Sequence, residues 1–411
     1  MLEKKEKSWM NPAPRMRGGV KVEDPTLRED LSNYRDEFPI TRTCTFLNHA
    51  SRSPLPNRSL QAIERFLRKS REDGAEFDEE AFQFLNETRE LIARLICASP
   101  QEIALFPNTS MGINIAARGL QIQKGENVII PEKEFPANVF PWLNLQRDSR
   151  SGSEGVEVRF IPVEKGVVSP ESVEELIDEK TRAVSIGFVD FSRGAKRDLE
   201  RIGALCEKKG VPFIVDGMQG VGVLNLDVKR CRIDLLACGG AKWLMSPHGT
   251  GFTYIREGFQ KRIQRTYFGW LAVKGPENFE DLLDYSFKPF PGARSFEVGT
   301  YPYHDFYGMK ESLILLLEIG IKNIEKRVFT LTDLLIKKLE HTSYSILSPL
   351  DTCHRSAILS IGGKNLEGVF SSLTDAGIFV SKREGGIRVS PHFYNTEEEI
   401  EKLVDVLKGI T

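Results

Sequence analysis

No CxxC pair joins the 6 cysteines of this 411-residue chain (Cys44, Cys97, Cys206, Cys231, Cys238, Cys353), and no HExxH joins its 6 histidines. A disulfide framework and a zinc site therefore both lack their usual spacing, and buried reduced thiols are expected. Long apolar runs are missing as well. Stretches such as Ser312–Ile319 contain or adjoin charged residues and fall far short of the roughly eighteen apolar positions of a bilayer span. Charge of one sign is also lacking: 56 Lys+Arg against 58 Asp+Glu leave a net charge of -2, which gives nucleic acid no electrostatic foothold. The basic N-terminus has no apolar stretch and no small-residue cleavage site, so it does not read as a secretory signal. A flexible arm over residues 1–30 and a soluble, cytoplasmic protein follow as expectations. No GxGxxG follows a strand, and neither GxxxxGK[ST] nor GxSxG occurs, which removes the usual marks of dinucleotide, P-loop and serine-hydrolase chemistry.

What is present is a globular chain, 40% hydrophobic and 28% charged, with room for two or three domains at roughly 100–200 residues each. A short strand over 44–48 and a helix over 57–71 come first. Phe84, Leu85, Thr88, Leu91, Ile92 and Leu95 then recur at three- and four-residue steps, the mark of an amphipathic helix over 80–96. From there strands and helices alternate. Strands are predicted at 103–106, 127–131, 156–163, 183–189, 212–216, 235–238 and 252–256, with helices starting near Ser110, Pro136, Pro170 and Asp198. That alternation predicts an α/β fold with a mainly parallel seven-stranded sheet sandwiched by helices. The nearly continuous apolar runs at 211–215 and 233–237 belong in its middle. Past Thr300 the texture changes to a long helix over about 308–338, strand-like pieces at 357–361, 378–380 and 386–390, and a charged helix over 396–408. This reads as a smaller C-terminal α+β domain.

Two segments carry chemistry: Phe213-Ile214-Val215-Asp216-Gly217-Met218-Gln219-Gly220, and Cys238-Gly239-Gly240-Ala241-Lys242-Trp243-Leu244. Asp216 ends one buried strand and Lys242 lies just past the next, at the edge where open parallel sheets bind ligands. Singly, Asp216 is a strand-end cap and Lys242 a surface lysine. Together they place an acid and an amine in one crevice. A poorly solvated lysine loses preference for its charged form and becomes a nucleophile toward an aldehyde, giving a Schiff base. A carboxylate beside it would keep a pyridinium nitrogen protonated, which is what pyridoxal phosphate requires as an electron sink.

With Asp216-Gly217-Met218-Gln219 and Gly240-Ala241-Lys242-Trp243-Leu244, the chain resembles the class V aminotransferase and cysteine desulfurase superfamily of fold type I pyridoxal phosphate enzymes. The likeness extends to Phe46-Leu47-Asn48-His49-Ala50, Asn108-Thr109-Ser110, Glu134-Phe135-Pro136, Arg294-Ser295-Phe296-Glu297-Val298-Gly299-Thr300 and Ile387-Arg388-Val389-Ser390. It implies that Lys242 bonds the cofactor, Asp216 pairs with the ring nitrogen, and Gln219 reaches the ring's phenolic oxygen. Thr109 and Ser110 hold the phosphate at a helix start, Phe135 stacks on the ring, and Thr300 reaches the phosphate of a neighbouring subunit in a homodimer. Arg388 grips the α-carboxylate of an amino acid substrate, with Asn48 and His49 beside it. The domains it implies are an N-terminal segment over 31–75 packing with the small domain, a large pyridoxal-phosphate-binding domain over 76–300, and a small domain over 301–411.

Departures from the family pattern sharpen the expectation. Relatives often carry a serine and a histidine where this chain has Gly239 and Ala241, so two polar phosphate contacts are missing. A desulfurase carries a nucleophilic cysteine shortly before the carboxylate-binding arginine, but Ser381-Lys382-Arg383-Glu384-Gly385-Gly386 has none. Persulfide chemistry is thereby disfavoured. An aminotransferase is expected first, an epimerase or carbon–sulfur lyase second. An inactive cofactor-binding relative and a nicotinamide-dependent dehydrogenase remain as competing classes.

Overall fold

The computed structural model describes residues 31–74, 79–147, 155–275, 283 and 285–410; the arm expected over 1–30 lies outside the described residues. Seven strands form one sheet in the order Ile103–Leu105, Gly251–Ile255, Leu235–Gly239, Phe213–Asp216, Thr181–Gly187, Asn127–Pro131, Glu157–Ile161. Only Gly251–Ile255 runs antiparallel to its neighbours. Each expected strand is present, its bounds within two residues of those read from the sequence.

Strand periodicity explains why the middle strands are apolar throughout. Phe213, Val215, Leu236 and Cys238 enter the core on one face, while Ile214, Leu235 and Ala237 enter the core on the other, because successive side chains point to opposite sides. Helix Leu199–Lys209 covers the first face with Leu199, Ile202 and Cys206. Helix Thr109–Gly119 covers the second with Ile113, Ala116 and Ala117. It lies so close that a Cβ on Gly112 would come 2.4 Å from Thr253 Oγ1 and 2.5 Å from the Ala237 Cβ. Only glycine permits that approach, and the approach fixes where the N-terminus of this helix stands.

The single long helix expected over 308–338 is two helices, Tyr303–Ile319 and Ile321–Leu339. Gly320 separates them at φ 86, ψ 129, a conformation that a residue with a Cβ rarely adopts. Phe306, Met309, Leu313 and Leu316 of the first pack into the large core. The second begins there with Ile324 and Val328 and ends among Leu331, Leu335 and Leu339 in a separate C-terminal core. That core backs a four-stranded antiparallel sheet, ordered Ser381–Arg383, Gly386–Val389, Leu359–Gly362, Ser345–Ile346. Two of these strands, Ser345–Ile346 and Ser381–Arg383, and helix Leu366–Asp375 had no clear signal in the sequence. The N-terminal segment joins this end of the molecule, with Thr45–Phe46 pairing in parallel with Ile378–Phe379.

All six cysteines are free, but only Cys206 and Cys238 meet the burial expectation: Cys44 and Cys231 are half-buried, and Cys97 and Cys353 are exposed. Among the described residues no helix is long and apolar enough to cross a membrane, and no cluster could hold a metal ion.

One buried ion pair ties these parts together. Arg89 donates from Nη2 to Glu297 Oε2 at 2.6 Å, and the same carboxylate accepts the Leu105 backbone N–H at 2.8 Å, so helix Glu79–Leu95, the edge strand and the turn before Thr300 share one anchor. Both side chains are nearly inaccessible. Glu297→Ala leaves Arg89 buried without its counter-charge, and a loss of about 3–5 kcal/mol is expected, read as a lowered urea midpoint.

Candidate active site

The carboxyl ends of the parallel strands and the loops that follow them build one crevice. Asp216 is the last residue of its strand, paired in register with Gly187 on one side and Ala237 on the other. Its Oδ1 accepts the Met218 backbone N–H at 2.9 Å. Burial pushes its carboxyl up to about 6, with Glu134 adding to the push and the Met218 bond, Lys242 and Arg197 opposing it. Lys242 lies three residues past the end of Leu235–Gly239 in a turn closed by Met245 N–H to Lys242 C=O, 2.8 Å, and Gly240 N–H to Thr250 C=O, 2.7 Å. A Cβ at Gly240 would stand 2.5 Å from Thr250 Oγ1, so this turn requires glycine there. Burial drives the Lys242 amine down to about 8; the Asp216 charge resists, while Arg388 and Arg383 add to the fall. The pair is a desolvated acid and a desolvated amine, each holding part of the other's charge.

Phe135 stands across from the amine, its ring centroid 5.3 Å from Lys242 Nζ and edge-on to Phe191 at 5.3 Å. It is 40% exposed, which leaves ring surface free to cover a planar ligand. Thr109 and Ser110 open helix Thr109–Gly119, capped by Asn108 Oδ1 on the Met111 N–H. The first-turn N–H groups have no intrahelical acceptor. Thr109 Oγ1 accepts the Gly239 N–H at 3.0 Å and keeps its own hydroxyl hydrogen to donate. Ser110 is exposed. The space that a side chain at 239 would enter borders Met218, whose Sδ lies 3.3 Å from the ideal Cβ.

Arg388 reaches the crevice from the small sheet. Its Nη1 donates to the Phe191 carbonyl at 2.6 Å, Nη2 to Ser51 Oγ at 2.6 Å and Nε to Ser381 Oγ at 3.2 Å. It is 2% exposed, and every one of those partners is a neutral oxygen. Burial and the nearby Arg383 lower its guanidinium to about 10, with Asp190 pulling the other way. A buried cation without a carboxylate against it is costly, and an anionic ligand removes the cost.

The remaining expected residues divide. Gln219 lies in the crevice wall, donating to the Ala50 carbonyl at 2.9 Å and accepting the Trp243 Nε1–H at 3.0 Å; one amide N–H is left for a ligand. Asn48 leaves a buried Oδ1 unpartnered among the described residues. His49 is fully buried, with Nδ1 at 2.8 Å from the Ser390 carbonyl and Nε2 at 2.7 Å from the Tyr394 hydroxyl. Both of its ring nitrogens are engaged, and burial holds it neutral. It ties the N-terminal segment to the small domain and offers a substrate nothing. Thr300 is exposed and makes no hydrogen bond among the described residues.

Sequence reading missed the residues that position these. Ser51 and Ser381 aim Arg388. Ser51 directly follows the Asn48-His49-Ala50 run and could have been found there. Glu134 and Arg197 form a buried pair at 3.1 Å behind Asp216. Their common target is the Gly187 peptide, whose N–H goes to Glu134 and whose C=O accepts from Arg197. Arg197 had no sequence signal, since its neighbours match no recurring pattern.

The donor set fits pyridoxal phosphate: a buried carboxylate, a depressed amine, an exposed aromatic face and a helix N-terminus with hydroxyls. The comparisons agree. The family described as Aminotransferase class-V matches residues 45–403. A probable cysteine desulfurase of Methanothermobacter thermautotrophicus is 31% identical over 92% of this chain and 97% of its own. The isopenicillin N epimerase of Streptomyces clavuligerus is 26% identical over 93% of this chain and 98% of its own. Among solved structures, a C-DES mutant with glycine covalently linked to the PLP cofactor superposes with a TM-score of 0.81 at 23% identity, covering 91% of this chain and 98% of that one. The sheet order, the Asp216–Lys242 crevice and the span of these matches have one explanation: this chain belongs to the class-V aminotransferase family of fold type I, pyridoxal-phosphate-dependent enzymes.

Proposed function

We propose that the protein is an aminotransferase acting on an α-amino acid. The observation that carries this reading is Arg388, a buried guanidinium held only by neutral oxygens, in the same crevice as the depressed Lys242 amine. An α-carboxylate supplies the missing anion, and its planar shape suits the fork of an arginine better than a point charge. Bound in this crevice, pyridoxal phosphate supplies an electron sink that loosens the bonds of a substrate's α-carbon. Lys242 would bond it, Asp216 would hold its ring nitrogen, Phe135 would cover its face, and Thr109 and Ser110 would hold its phosphate.

The proton chemistry narrows the reaction. With its amine lowered to about 8, Lys242 Nζ can take and return a proton near neutral pH. Phe135, which faces it, has no proton to exchange. A single base on one side, taking the proton from the α-carbon and returning it elsewhere on that same side, suits transamination. Epimerisation needs a second proton donor on the far side. No cysteine occurs between Val380 and Arg388, which argues against a persulfide-forming reaction. We also propose a homodimer, because the uncovered rings of Phe135 and Phe140 border the Ser110 end of the crevice and suit cover by a second subunit, while exposed Thr300 is free to reach a neighbour. A reducing, cytoplasmic setting is proposed from the unpaired, exposed Cys97 and Cys353.

A panel of amino acids, followed by absorbance of the bound cofactor, tests the reaction. Accumulation of its amine form is expected. Release of pyruvate, ammonia or sulfide would point instead to a lyase, inversion at the α-carbon to an epimerase, and a coloured protein inert to every amino acid to a relative without turnover. Arg388→Lys is expected to lower kcat/KM by roughly tenfold to a hundredfold through loss of a charge-assisted, two-pronged contact. In the cofactor-free protein, covalent labelling of Lys242 by an amine reagent should reach half its maximal rate near pH 8. Asp216→Asn should move that midpoint lower, since the Asp216 charge is what holds the amine's proton; a midpoint near that of free lysine would contradict the burial argument.

A further inference from the structure

Arg388 is one of three guanidinium groups on the same side of the small sheet. In strand Ser381–Arg383, alternation puts Ser381 and Arg383 on one face and Lys382 on the other. Ser381 marks that face as the one turned to the crevice, because its hydroxyl accepts from Arg388 Nε at 3.2 Å. Lys382, on the opposite face, is neutralised by Glu367. Arg383 is not. It is exposed, its described hydrogen bond runs only to the neighbouring Lys382 carbonyl at 2.8 Å, and among the described residues no carboxylate pairs with it. Two residues from Ser381 on that shared face, Arg383 stands beside the Arg388 end of the crevice, and its charge bears on both Lys242 and Arg388.

The third group is Arg193. Its Nη1 donates to Ser360 Oγ at 3.3 Å and its Nη2 to the Glu384 carbonyl at 2.9 Å, and Ser360 is the cross-strand partner of Arg388. Arg193 thus clamps the turn that carries Arg383 against the loop after the central strands. Asp190, in the loop that carries Arg193, is committed already: its Oδ1 accepts from the Ser192 N–H, the Ser192 hydroxyl and the Arg193 N–H, and its Oδ2 faces Arg197 at 3.9 Å. Among the described residues neither Asp190 nor Glu384, the next residue on the hairpin, forms an ion pair with Arg383, so an α-carboxylate at Arg388 leaves that charge unbalanced.

Building on the reading of Arg388 as the α-carboxylate site, we propose that the substrate is an amino acid whose side chain ends in a second anionic group, received by Arg383 on a hairpin that Arg193 holds in place. Arg383 is the specificity-determining residue and Arg193 a positioning residue. The second anion sits further out than the first, so it belongs to the side chain. Its charge-assisted contact is made at the rim, where it selects among substrates without touching the reacting carbon.

Carboxylic acids without an amine test this apart from the reaction. Calorimetric titration of the holoenzyme with succinate, glutarate and adipate, against monocarboxylates of equal length, reads the anion sites alone. At least one diacid is expected to bind on the order of tenfold to a hundredfold more tightly than its monocarboxylate partner, the range of one hydrogen-bonded charge pair. That ratio should collapse toward one in Arg383→Gln, recover in part in Arg383→Lys, and shrink in Arg193→Gln. Retained cofactor absorbance in each variant shows that the crevice is still folded. Equal binding of diacids and monoacids by the unmodified enzyme, or a ratio that survives Arg383→Gln, overturns the proposal. If neutral amino acids convert the cofactor as fast as aspartate or glutamate, the second anion site falls while the aminotransferase reading stands. If no acid binds and no amino acid changes the cofactor spectrum, both fall together.

Discussion

The structure is organised around the attraction between a carboxylate and an amine that have both been taken out of water. Asp216 and Lys242 come from the ends of adjacent strands, and burial drives each toward its neutral form while the other's charge holds it back. Such a pair is poised: each group's charge is opposed by burial and supported by the other, so a ligand that enters the crevice shifts both. The protein invests its most rigid parts in keeping it there. The strands beneath are buried on both faces, Gly240 lets the lysine turn close on Thr250, and the Glu134–Arg197 pair fixes the Gly187 peptide across from Asp216. A looser frame would admit water, and each group would relax to its ordinary protonation.

Around that pair, three distant parts of the chain meet. The large sheet supplies acid, amine and helix N-terminus; the small sheet supplies Arg388; residues 48–53 fit between them. Within this short segment Ala50 accepts from Gln219, Ser51 from Arg388, and Ser53 donates to the carbonyl beside Lys242. The segment reads the state of both domains at once. Binding of an anion at Arg388 is therefore two residues away, along a hydrogen-bonded strap, from the turn that carries the reactive amine.

Much of this was legible in the sequence, for physical reasons that differ by element. The seven strands were readable because strands buried on both faces must be continuously apolar, and Asp216 and Lys242 because an acid and an amine follow two adjacent strands of that kind to the same sheet edge. The break at Gly320 was hidden, since the apolar periodicity continues through it and a lone glycine in a helical pattern is weak punctuation. Strand Ser381–Arg383 was hidden because Ser-Lys-Arg carries no hydrophobic alternation; its identity comes from its pairing with Gly386–Val389. His49 was mislocated because a histidine in a motif-like run looks the same whether it faces a ligand or a tyrosine hydroxyl. Arg197 was invisible, as a buried arginine is justified only by partners far away in the chain.

The bond between Arg388 and Ser51 spans 337 residues, and the parallel pairing of Thr45–Phe46 with Ile378–Phe379 spans nearly as many. During synthesis the segment that lines the crevice leaves the ribosome long before its partners do. The central sheet can fold while the chain is still growing, domain by domain, but the cleft cannot close until the small sheet that carries Arg388 has been made. Nascent chains thus carry Lys242 for a time without Arg388 beside it, and a late, long-range closure step of this kind is slow compared with local folding.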